Sequence, residues 1–132
     1  MNAREGKPPA TGDIEEIAAR AFETIPKALR KHVTNLRIQV EEFPSTEVMR
    51  KMSLESSFDL LGLYQGVPLG DCSVSDVRHD IDMIFLYRRP LLDYWVEKNE
   101  RLEDVVRHVL IHEIGHHFGF SDDDMEVIED SG

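Results

Sequence analysis

A single cysteine, Cys72, in 132 residues excludes an internal disulfide and any thiolate metal cluster. Its surroundings, "GDCSVSD", offer no identifiable base, so the thiol reads as packed or idle rather than nucleophilic. Basic residues are also scarce: 15 Lys and Arg face 26 Asp and Glu, a formal charge of −11. That balance lacks the positive footprint that phosphate-backbone binding needs, and nucleic acid is excluded as an expected partner. Apolar runs such as "IFLY" and "HVLI" fall far short of the roughly 20 residues that span a bilayer, so no membrane segment is expected. The opening "MNAREGKPPATGD" has no apolar stretch of signal-peptide type, which predicts cytoplasmic residence. Internal repeats and long low-complexity tracts are missing as well. The length fits one domain, with residues 1–12 as a flexible leader and 13–132 as the folded unit.

What is present is alternating helix and strand patterning. Asp13 and Glu16 have capping-box spacing, followed by a helical stripe of Ile14, Ile17, Ala18, Ala21, Phe22 and Ile25 that Pro26 should end, with "KALRKHV" as a short helical continuation. "LRIQVEEF" alternates Leu36, Ile38 and Val40 with polar residues, the period of a half-buried strand. "TEVMRKMSLES" suits a short helix or ordered loop. "DLLGLYQGVPLGD", interrupted by glycines and Pro68, suits an edge strand or bulged hairpin. "DMIFLYRRP" reads as a strand ended by Pro90, and "LLDYWVEK" as a helical turn or linker. The strongest helix starts near Asn99 as a possible cap and repeats Leu102, Val105, Val106, Val109, Leu110 and Ile114.

That helix runs into "HVLIHEIGHHFGFSDDDM", residues 108–125, which holds four histidines and four acidic residues. His112 and His116 are one turn apart on one face and can share a metal ion. Glu113 lies about 100° around the axis, beside the ligands, where a base for water belongs. The pattern His112-Glu113-x-x-His116 is the metallopeptidase signature in which two neutral imidazoles hold zinc and the glutamate takes a proton from water. Gly119 can take a positive φ and stop the helix, after which the chain turns back. Asp122 then occupies the third-ligand position of His-Glu-x-x-His-x-x-Gly-x-x-Asp. A carboxylate oxygen is an acceptable zinc ligand and leaves a fourth position for water. An alternative role for Asp122 is capping, with Ser121, Asp123 and Asp124, of a final short helix "MEVIED". The acidic run lacks the spacing and glycine of a calcium loop. His108 shares the face but lies about 12 Å along the axis from His116, too far to complete the same trio. His117 points away from His116, and His32 and His79 stand isolated in the sequence.

The segments "LLGLYQGVPL", "IFLYRRP" and "HVLIHEIGHHFGFSDDDM", about half of the chain, resemble the small bacterial zincin-like metallopeptidases, or minimal zincins. The resemblance implies an α+β fold, with a small mixed β-sheet packed against helices that include the active-site helix, and a metal cleft along the sheet's edge. The motif also resembles the aspartate-ligand branch of the metzincins. The resemblance implies Zn2+ held by His112, His116 and Asp122, Glu113 as catalytic base, and a peptide or protein substrate. Met125 is a candidate for packing beneath the metal, against the simpler role of core methionine. An extended peptide would add as a strand to the "LLGLYQG" or "IFLYRRP" edge, with Tyr64, Tyr87, Arg88 or Arg89 as candidates to assist an oxyanion. Two other readings stay open: a non-enzymatic zinc-containing peptide-binding or regulatory module, and a hydrolase of non-peptide amides or esters.

Overall fold

The apolar stripes find one another in a three-stranded sheet with helices packed around it. The computed structural model describes residues 7–33, 35–66 and 82–131. In chain order the elements are α1 (Thr11–Glu23), α2 (Lys27–Arg30), β1 (Leu36–Glu41), α3 (Thr46–Lys51), β2 (Gly62–Gln65), β3 (Asp82–Tyr87), α4 (Arg88–Lys98), α5 (Leu102–His117) and α6 (Asp122–Ser131). Cys72, His79 and the later part of the glycine-rich stretch lie outside the described residues. Among the described residues no helix is long and apolar enough to cross a membrane.

The sheet order is β1-β3-β2, with β1 parallel to β3 and β2 antiparallel to it. This is the small mixed sheet of the expected α+β class. β3 therefore has neighbours on both sides, and "IFLY" offers no free edge to a peptide; that docking expectation fails for β3, while β2 is paired on one side only among the described residues. Its burial explains why: Ile84, Leu86 and Tyr87 are all within the core, the composition of a central strand.

Ile14, Ala18, Ala21 and Ile25 from the α1 region and Leu102, Val105, Val106, Val109, Leu110, Ile111 and Ile114 from α5 form most of the rest of that core, with Leu29, Val40, Tyr64, Leu91, Met125 and Ile128 completing it among the described residues. Each large side chain so buried contributes about 1.5–3 kcal/mol relative to exposure. The stripe on α5 is wider than the periodicity required, since Ile111 and Gly115 are buried too.

Element boundaries differ from the sequence expectation for local reasons. α1 begins at Thr11, and Asp13 acts from the helix's third position, its carboxylate accepting from the Ala10 amide at 2.8 Å. "LLDYWVEK" belongs to an 11-residue helix, α4, rather than a linker. Pro90 lies in its first turn, where the missing amide proton would have no partner, so it does not interrupt the helix. Asn99 closes α4 in the left-handed region at φ 56° instead of opening α5. Trp95 secures this corner by donating from Nε1 to the Glu100 carbonyl at 2.7 Å.

Candidate metal centre

The end of α5 is shaped by Gly119. At φ +84° it lets the Gly119 amide bond the His116 carbonyl and the Phe120 amide bond the Gly115 carbonyl, the paired bonds of a Schellman stop. The chain reverses and α6 returns antiparallel along α5, because Met125 and Ile128 are its buried face. The contact is close at Gly115. A Cβ there would lie 2.1 Å from Met125 Sδ and 2.7 Å from its Cγ. Met125, fully buried, thus packs on the backbone between the two motif histidines, a core residue placed beneath the site.

We expect Gly115→Ala to destabilise the protein by about 1–3 kcal/mol. Overpacking outweighs the ~1 kcal/mol that alanine gains in helix propensity, because Met125 has no exposed direction in which to move. Thermal denaturation reads this directly, and an unchanged or raised Tm would show that Met125 repacks without cost.

The reversal delivers Asp122 to His116, with Oδ1 3.2 Å from Nε2. His112, His116 and Asp122 offer ligand atoms all within 4.8 Å of one another. Asp122 is not occupied as a cap. Ser121 is the cap: its hydroxyl accepts from the Asp124 amide at 3.0 Å while its own amide donates to Asp124 Oδ2 at 3.3 Å. This reciprocal pair satisfies the helix start and leaves Asp122, with 83% of its side chain exposed, free to face the histidines.

Electrostatics favour the protonation states such a site needs. Burial pushes the His112 imidazole below the ordinary histidine range, and neighbouring His108 adds to the effect, while Glu129 opposes it. A neutral imidazole keeps a lone pair for a metal. Burial pushes the Glu113 carboxyl up, while a hydrogen bond from the Tyr64 backbone amide and the nearby His116 pull it down. A carboxyl raised toward neutrality is a better proton acceptor and donor at working pH.

The Tyr64 amide is available to Glu113 because of strand register. The Tyr87 amide bonds the Leu61 carbonyl at 3.0 Å, so residues 61, 63 and 65 alternate into the bonded positions with β3. Tyr64 then directs its amide away from β3, toward the side of β2 that carries no strand among the described residues. Strand β2 and the Glu113 carboxylate therefore meet at residue 64.

The remaining candidates have other roles. The Tyr64 hydroxyl donates to Asp82, and burial together with that bond pushes its pKa up. Its ring stacks on His117 at 4.1 Å between centroids. His117 lies over Gly66, where a Cβ would approach its Nε2 to 2.6 Å. Tyr87 is buried, its phenol pushed up to about 12 by burial first and then by Glu41 and Glu113. Arg88 is held by the Pro9 carbonyl and Glu42, and Arg89 lies over the Phe43 ring. The Tyr64 hydroxyl and the Arg88 guanidinium are thus engaged with other partners, while Arg89 is exposed. His32, isolated in sequence, stacks on Phe118 and meets Phe120 edge-on.

A model of the zincin-like metallopeptidase family matches residues 33–131, from just before β1 to the end of α6. The chain belongs to that family. No individual curated protein matches it.

A zincin-like metallopeptidase implies a bound metal ion, typically zinc, and the donor set here fits one. Two imidazoles and a carboxylate make a three-ligand zinc set with one position left over. Ligand atoms around tetrahedral zinc stand about 3.3 Å apart, close to the 3.2 Å between His116 and Asp122. A groove of about 530 Å³ lies elsewhere, lined in part by Asp13, Arg20 and Trp95, and no histidine lines it. Donor chemistry, not volume, marks the site. Sequence reasoning missed two contributors: the Tyr64 amide, visible only through register, and Glu129. The latter had a signal, since Asp122 and Glu129 are two helical turns apart and share one face.

Proposed function

We propose that this zincin-like protein is a peptidase that hydrolyses peptide bonds in a peptide or protein substrate, with His112, His116 and Asp122 holding zinc and Glu113 as general base. The observation that carries the reading is the convergence of these three ligands beside a glutamate whose carboxylate is oriented by the edge strand. Zinc held by these three residues would supply Lewis acidity to water and to the scissile carbonyl. Glu113 accepts the proton of the attacking water and returns it to the leaving amine. The Tyr64 amide holds the carboxylate in place between these two transfers. Among the described residues β2 is paired with a strand on one side only, and along its other side, beyond the Tyr64 amide that Glu113 engages, an extended substrate would add main-chain hydrogen bonds.

The test is metal content joined to turnover. Protein purified without added metal and then exposed to zinc and dialysed should retain about one zinc per chain. It should also cleave a mixed peptide library, lose cleavage with a chelator and regain it with zinc. Retention of zinc without cleavage of any peptide would favour the non-enzymatic binding module, and cleavage confined to small amides or esters would favour the non-peptide hydrolase. Protein that stays metal-free would remove all three readings.

A further inference from the structure

The antiparallel packing of α6 on α5 builds a second constellation one turn below the first. His108, also on the face of His112, has its Nδ1 3.1 Å and 3.0 Å from the two carboxylate oxygens of Glu129. His112 Nε2 is 3.7 Å from Glu129 Oε1. The His108 and His112 rings lie 4.1 Å apart, and the three residues offer ligand atoms within 4.8 Å of one another. These separations bracket the ~3.3 Å between neighbouring ligands of a tetrahedral zinc. Apart from the shared His112, the second trio is more sheltered than the first: the His108 and Glu129 side chains are 40% and 26% exposed, against 56% and 83% for His116 and Asp122.

We propose that His108, His112 and Glu129 form a second site for zinc or a similar divalent transition metal, alternative to the His112, His116 and Asp122 site because both need His112. A neutral imidazole has one nitrogen lone pair in the ring plane, so His112 serves one ion at a time. Nitrogen and carboxylate donors in this ratio suit zinc better than calcium or magnesium, which take oxygen ligands. An ion held in the second site would withdraw His112 from the first. The second site is thus a resting place that competes with the catalytic arrangement. The exclusivity rests on the proposed role of His112 in the first site, whereas the second trio stands on its own geometry.

Zinc titration against a chromophoric chelator tests the proposal, with circular dichroism confirming the fold of each variant. Wild type should bind one zinc. His116→Ala/Asp122→Ala, changes at exposed side chains, should still bind one zinc, more weakly. Adding Glu129→Gln, or separately His108→Ala, should reduce that residual affinity by at least about 10-fold, while Glu129→Gln alone keeps the tight site. His112→Ala should abolish both. The proposal is overturned if His116→Ala/Asp122→Ala binds no zinc, if its residual binding ignores both added changes, or if wild type binds two tight ions. The two readings fail separately: wild-type affinity in His116→Ala/Asp122→Ala, with weakening by Glu129→Gln alone, would remove the first site and leave the second standing.

Discussion

Glu113→Gln should lower peptide hydrolysis by about 10²–10⁴-fold, the range a positioned general base contributes, while leaving zinc affinity nearly unchanged. The amide preserves the side chain's length and can keep a hydrogen bond with the Tyr64 backbone amide, accepting through its carbonyl oxygen. It cannot take a proton from water at working pH. Because Glu113 lies beside the ligand face rather than in it, the three ligands should be undisturbed. The comparison needs kcat and zinc affinity from the same preparations. A drop in both together would mean that Glu113 supports the ligands, and equal turnover would assign the base elsewhere and strengthen the binding-module reading.

The second large effect concerns Asp122. Asp122→Ala should weaken zinc binding at the first site by more than about 100-fold, exceeding the 10–100-fold typical of partners that only orient ligands. Asp122→His should recover much of the affinity, because imidazole reaches the same ion with a ligand that zinc accepts equally well. Stability should hardly change, since the helix start is held by Ser121 and Asp124 rather than Asp122. Ser121→Ala is the matching control and should cost about 1 kcal/mol of stability with zinc affinity retained. Competitive titration and melting curves on these variants separate coordination from capping. Unchanged affinity in Asp122→Ala with a lowered Tm would return Asp122 to a capping role and leave the site with two histidines and another third ligand.

The helical part of the site was legible because its information is local. His112, Glu113 and His116 acquire their relative placement from the 3.6-residue period of one helix, and the apolar stripe from Leu102 to Ile114 reveals that helix without reference to anything distant. Gly119 announces its end in the same way. The misreadings also have local causes. Asn99 has the chemistry of either cap, and Pro90 tolerates a helix's first turn as well as it ends a strand, so each sits on an ambiguous boundary.

Local spacing alone therefore set the histidine pair, the neighbouring glutamate, the helix carrying them and the turn that sends the chain back. Only the tertiary structure decided the partners of that helix. Whether Asp122 capped α6 or faced His116 depended on Ser121 and Asp124 closing the cap between themselves. Glu129 reached His108 and His112 because Met125 docks on Gly115 and sets the registry of the antiparallel helices. β3 became the central strand, and Tyr64 turned its amide toward Glu113, through pairing between segments distant in the chain. Helical spacing is written within a few consecutive residues, whereas strand register and helix-on-helix packing are set by how apolar faces from separate segments exclude water together.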